Sequence, residues 1–242
     1  MRFKIVAFSF LALAAFSAAS DQGTTVTGHV AVTGAHSSRP VATREDYAKG
    51  VVVWLTPADG HAIRPEAPQQ HFRLVQKDKQ FTPHLLVVPA GSSIDFPNRD
   101  PFFHNVFSLF EGKRFDLGLY ESGSSRAVRF DRPGVSYIFC NIHPQMSAVV
   151  IALDTPYFAI SGPAGGVTIP AVPAGKYVLH IWDEAAGLDT LRGLSRPIEV
   201  AGAASDFGML RVPVTGDSQL THKNKYGQDY DAPDPMSSVY AR

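Results

Sequence analysis

The stretch richest in reactive side chains runs from Phe139 to Met146, Phe-Cys-Asn-Ile-His-Pro-Gln-Met. It contains the chain's one cysteine, Cys140, followed by His143 and Met146, so a thiol, an imidazole and a thioether fall at the spacing Cys-x-x-His-x-x-Met. Soft and borderline donors gathered in one short loop suit copper better than zinc. A mononuclear electron-transfer copper takes two imidazoles, one thiolate and a weak axial methionine, and this loop holds three of those four donors. Structural zinc sites commonly draw on several thiolates, which a chain with a single cysteine lacks. Each residue alone has an ordinary reading: cysteine and methionine fill cores, and histidine serves as a polar loop residue. The joint pattern, with no second cysteine for a disulfide, points to a metal.

The second imidazole must come from elsewhere among the nine histidines. His36, His61 and His222 sit among turn and tail residues, His29 and His180 in strands remote in sequence. His71 starts a strand, and His84 follows Pro83 at a strand entrance. His104 stands apart. Asn98-Arg99-Asp100-Pro101 is a turn signal, and Phe102 to Phe107 is the strand that leaves it. On that strand Asn105 is placed to hydrogen-bond backbone near Cys140.

The stretch from Gln80 to Leu153 resembles the small blue-copper proteins, the cupredoxins, and among them amicyanin and pseudoazurin. The residues that carry the resemblance are Phe81-Thr82-Pro83, Gly91 through Asn98, Pro101-Phe102-Phe103-His104-Asn105-Val106, and Cys140 through Met146. The short interval from His143 to Met146 matches the amicyanin-like loop. The resemblance implies one type 1 copper with His104 as the upstream ligand and Cys140, His143 and Met146 as the loop ligands.

The elements that must position these residues are strands. Hydrophobic content of 45%, 20 glycines, 18 prolines and many short alternating runs predict an all-β chain with scarcely any helix. Val135 to Phe139 alternates as a strand that delivers Cys140, after the turn signal Asp131-Arg132-Pro133-Gly134, and Ser147 to Leu153 is the strand that follows the loop. Leu85 to Val88, Ser92 to Phe96 and Arg126 to Phe130 complete the neighbourhood. Outside it, Thr24 to Val32, Val51 to Leu55, Gly166 to Ile169, Val172 to Trp182, Pro197 to Val200 and Met209 to Val214 are further strands, with a helical turn at 44–47. The run Val172-Pro173-Ala174-Gly175-Lys176-Tyr177 is similar to the transthyretin-like module known as the carboxypeptidase regulatory domain. The architecture these resemblances imply is a cupredoxin Greek-key β-sandwich, residues 71–154, inserted in a second, smaller transthyretin-like β-sandwich made of 21–70 and 155–216; the competing architecture is one enlarged sandwich. Polar residues 217–242, with Tyr226, Tyr230 and Tyr240, are expected to form an extended tail.

Met1 to Ser20 has the form of a secretory signal peptide: Arg2 and Lys4, an apolar run from Ile5 to Phe16, then Ser17-Ala18-Ala19. Its apolar run is shorter than the roughly 20 residues that span a bilayer, so the mature chain is expected in the periplasm with no membrane span. Charge is balanced at 22 basic and 22 acidic residues, so nothing in it suggests nucleic-acid binding. A blue-copper carrier would pass single electrons between transient partners, a c-type cytochrome or a periplasmic dehydrogenase. His143 and Pro144 would form the electron exit, and Phe102 and Phe103 an apolar rim. Proteins with this insertion pattern are often associated with methylamine utilisation. No enzyme activity is expected, because the chain lacks the histidine pairs of a trinuclear copper cluster and any Ser-His-Asp signature. Two readings compete: a protein that binds and sequesters copper, and an adhesion or carbohydrate-binding β-sandwich.

Overall fold

The computed structural model describes residues 23–34, 50–61, 63, 65, 71–109, 112–202, 204–214 and 222–230. The signal-like segment, the helical turn at 44–47 and Tyr240 lie outside the described residues. In chain order the strands are β1 Thr24–Thr33, β2 Val52–Pro57, β3 Phe72–Arg73, β4 Val75–Lys77, β5 Gln80–Thr82, β6 Leu85–Pro89, β7 Ser92–Pro97, β8 His104–Ser108 and β9 Phe115–Tyr120. They continue with β10 Ser125–Phe130, β11 Gly134–Cys140, β12 Ser147–Leu153, β13 Phe158–Ile160, β14 Gly166–Val172, β15 Gly175–Trp182, β16 Arg196–Val200 and β17 Ala204–Pro213. Among the described residues one α-helix, α1 Leu188–Leu194, interrupts them.

The chain is all-β. A five-stranded sheet of order β6-β12-β11-β8-β9 lies at its centre, accompanied by the sheets β10-β7-β3, β13-β2-β15-β16 and β14-β1-β17 and the small ladder β4-β5. The ladder β11-β12 is antiparallel from Gly134↔Ala152 to Phe139↔Ser147, and β6 joins β12 in parallel.

Strand periodicity explains how the layers are built. Successive side chains of a strand point to opposite faces, and in β11 and β12 both faces are apolar and buried. Ile138, Cys140, Ala148, Val150 and Ala152 face one way and pack with Ile94 and Phe96 of β7 and Val128 and Phe130 of β10. Tyr137, Phe139, Val149, Ile151 and Leu153 face the other way. They pack with Val26 and Val30 of β1, Leu55 of β2, Ile169 of β14 and Leu179 and Ile181 of β15. Two hydrophobic cores thus share one sheet between them.

Most expected strands are present within a residue or two of their expected ends. The strand expected from Phe102 begins at His104, because Phe102 and Phe103 lie in the bend that precedes it. Helix α1 carries no sequence signal, since it spans seven residues and buries Leu191 alone. The two cores give a direct stability test. Leu55→Ala in one and Ile94→Ala in the other, both fully buried, should each destabilise the protein by about 3 kcal/mol in urea unfolding. Met209→Ala, at a position 47% exposed, should change it by less than about 0.5 kcal/mol. A small effect at Leu55 or Ile94 would contradict this assignment of the cores.

Candidate metal centre

His104 opens β8 and Cys140 closes β11. The two strands pair antiparallel at Phe139↔Phe107 and Cys140↔Val106, and the N–H of Asn141 extends the ladder by donating to the carbonyl of Asn105 at 2.9 Å. Directly opposed residues share a face, so Cys140 lies beside Val106. His104, two residues from Val106, lies on that face too. Ladder register alone therefore brings an imidazole and a thiol together at the edge of the second core.

The loop after Cys140 folds back on itself and adds the second imidazole. The N–H of Met146 donates to the carbonyl of His143 at 3.0 Å, and the N–H of Cys140 donates to the carbonyl of Met146 at 3.1 Å. The result is a tight ring of main-chain bonds that fixes residues 140 to 146. His104, Cys140 and Met146 are fully buried and His143 is 8% exposed. His104 Nδ1 lies 3.6 Å from Cys140 Sγ, His143 Nδ1 lies 3.4 Å from the same sulfur, and the two Nδ1 atoms are 3.2 Å apart. Among the described residues, these three form the one group of histidine, cysteine and acidic side chains close enough to hold an ion together.

That donor set fits a metal ion by its dimensions and its chemistry. A triangle with these sides places each donor about 2 Å from its centre, the length of a first-row metal–nitrogen bond. Burial pushes both imidazoles below their ordinary pKa, His143 to about 4, where the neighbouring His104 and Lys79 charges add to the effect. Both rings are therefore neutral at pH 7, the form that ligates. Burial pushes the Cys140 thiol up, while the N–H groups of Ile142, Asn105 and His143 around the sulfur act the other way. A cation entering the triangle would displace the thiol proton.

Asp100 sets the orientation of His104. Its carboxylate lies 2.8 Å from His104 Nε2 and is 3% exposed. The N–H groups of Asp78 and Lys79 donate to it at 2.6 Å and 3.0 Å, from a turn in which both residues have positive φ. Burial pushes the Asp100 carboxyl up, but the hydrogen bonds from Lys79, His104 and Asp78 outweigh it and hold the pKa below the ordinary value. An ionised carboxylate only accepts hydrogen bonds. The His104 proton therefore sits on Nε2, and the Nδ1 lone pair faces Cys140 and His143. Carboxylate–histidine pairing of this kind orients metal-ligating imidazoles and makes them more basic.

Other side chains enclose the group. The Phe102 ring lies 5.4 Å from that of His104 and 5.5 Å from that of His143, and the Lys79 ammonium sits 5.4 Å from the centre of the same phenyl ring. Phe103, at 50% exposure, and Pro144 lie on the surface beside this group. Asn105 reaches the loop through its main-chain carbonyl, while its side-chain amide donates to Asp116 at 2.7 Å. Sequence reasoning placed Asp100 in a turn and gave no role to Lys79. Neither had a sequence signal: Lys79 meets the site from another part of the chain, and Asp100 reaches His104, four residues on, only through the bend between them.

No family model and no curated protein matches this chain. Among solved structures, the chain is similar to a purple cupredoxin from Nitrosopumilus maritimus at 22% identity and a TM-score of 0.31, covering 34% of this chain and 98% of that one. It is also similar to an amicyanin variant in the Cu(I) state, at 17% identity and a TM-score of 0.33, over 36% of this chain and 86% of that one. A copper-containing nitrite reductase from Thermus scotoductus aligns at 21% identity with a TM-score of 0.34, over 40% of this chain, and this chain spans 26% of that enzyme.

Proposed function

We propose that the protein is a periplasmic carrier of single electrons that uses one type 1 copper held by His104, Cys140, His143 and Met146. The observation that supports this most directly is the buried triangle of two neutral imidazoles and a thiol, with Met146 in the same closed loop. Copper bound there would supply a one-electron couple. The protein's part is to keep the donors in place. Strand pairing and Asp100 hold His104, the β8-β11 ladder holds Cys140, and the ring of loop hydrogen bonds holds His143. A donor set fixed in this way needs little rearrangement when the charge at its centre changes.

A centre whose ligand positions are all filled by side chains leaves none open for a substrate, which favours a carrier over an enzyme. His143, 8% exposed and next to the exposed Pro144, with Phe102 against its ring, is the edge nearest solvent. Its apolar rim suits brief contact with a c-type cytochrome or a dehydrogenase, since weak redox encounters use small interfaces. Among the described residues no helix is long and apolar enough to cross a membrane.

Adding cupric ion to the protein should produce an intense thiolate-to-copper band in the red, and Cys140→Ser should abolish it. A band retained in that variant would remove Cys140 from the site. Rapid mixing of the reduced copper form with an oxidised c-type cytochrome should show fast transfer, and Pro144→Glu should slow it about tenfold with the copper spectrum unchanged. Copper held without any transfer would instead assign the protein to metal storage. Asp100→Asn keeps the shape of the His104 contact and removes its charge. The reduction potential should then rise by about 60 mV, a tenfold change for a one-electron couple, as the less basic imidazole favours the lower oxidation state. An unchanged potential in a titration would separate Asp100 from the centre.

A further inference from the structure

Residues 222–230 lie against the strand end that carries Cys140. Three consecutive residues of the strand and loop are held by this one segment. The His222 ring stacks on Phe139 at 3.7 Å between centroids and 25° between planes. The Tyr230 hydroxyl donates to the carbonyl of Cys140 at 2.9 Å, and the N–H of Lys225 donates to Asn141 Oδ1 at 2.8 Å. The Lys225 ammonium then reaches Asp116 at 2.7 Å, the same carboxylate that accepts the Asn105 amide.

The segment is preformed for this task. Asn224 Oδ1 accepts the N–H groups of Tyr226 and Gln228, each at 3.0 Å, while the N–H of Gly227 donates to the Asn224 carbonyl at 2.9 Å. The Tyr230 hydroxyl also lies 3.1 Å from His222 Nδ1, tying the two ends together. Beyond the His222 ring on Phe139, the segment does more than cover apolar surface. Its bonds go to main-chain and amide groups at the point where the ladder ends, where strand pairing no longer supplies a partner.

We propose that residues 222–230 are a working part of the metal centre, a clamp in which Tyr230 positions the main chain of Cys140 and limits how readily the ligand loop opens. The consequences for bound copper rest on the function proposed above, whereas the clamp on the loop does not.

The metal-free, full-length protein gives the first test. Cys140 is its one thiol and is fully buried, so alkylation by iodoacetamide reports opening of the loop. Tyr230→Phe keeps the ring and deletes the hydroxyl. Alkylation should become about fivefold faster, the factor that one neutral hydrogen bond contributes. Asn141→Ala, which removes the acceptor for Lys225, should act in the same direction. With copper bound, Tyr230→Phe should shift the thiolate-to-copper band and release copper about fivefold faster to an excess of cuprous chelator. Equal alkylation rates in the wild type and both variants overturn the clamp. Faster alkylation matched by an equal loss of global stability in urea, with the copper band unmoved, overturns the positioning role and leaves a merely structural tail. A wild-type protein that never develops the red band overturns the copper reading instead, and the alkylation comparison still decides the clamp.

Discussion

Everything about this site depends on a sheet that is buried on both sides. In most sandwiches one face of each sheet meets water, but β11 and β12 carry apolar side chains at odd and even positions alike. The two sets serve two cores, and Cys140 belongs to the set that faces Ile94 and Phe96. Because the side-chain period is two, a slip of one residue in the β8-β11 register would turn Cys140 into the other core and separate it from His104. The packing of Tyr137 and Phe139 against β1, β2, β14 and β15 therefore does more than stabilise an outer layer. It fixes the register that assembles the donors.

The second constraint is the cost of burying polar groups. Two imidazoles, a thiol and a carboxylate lie within a few ångströms of one another, nearly sealed from water. Burying such a cluster is costly unless its polar atoms are largely paired. Asp100 takes three donors, from Asp78, Lys79 and His104. The Cys140 sulfur faces main-chain N–H groups of Ile142, Asn105 and His143, and the Cys140 carbonyl takes the Tyr230 hydroxyl. What this network leaves at its centre is a convergence of lone pairs, which a cation satisfies better than a hydrogen bond between two neutral rings.

How much of this was legible depended on whether the information was local. The loop from Cys140 to Met146 stands out because its thiol, imidazole and thioether are close in sequence and follow a strand, and the structure brings Cys140 and His143 together. His104 was legible because a turn and a strand frame it. The sandwich strands were legible from alternation, and the sharing of one sheet by two cores was implicit in the unbroken apolar runs of β11 and β12. Asp100 was not legible, since its role comes from the turn at Asp78 and Lys79 and from His104 across a bend. The tail was read as extended because it is polar and aperiodic, and its hydrogen bonds to main-chain groups leave no pattern in side-chain type. Tyr230 does pack on the body, whereas Tyr226 is 72% exposed.

The charges around the site also bear on what would move through it. Two neutral imidazoles and one thiolate carry a single negative charge. On the copper reading, the centre is therefore neutral with a monovalent ion and positive by one with a divalent ion. Asp100 lies on the His104 side, and its carboxylate favours the more positive state. Lys79 sits behind Phe102, half-buried, with its ammonium 5.4 Å from that ring, and it favours the less positive one. The two flanks act in opposite directions, and low water content lets each act with more force than it would in solution. Because Asp100 is bonded to a ligand imidazole while Lys79 acts across a phenyl ring, the carboxylate is the stronger of the two, so the balance is set mainly at His104.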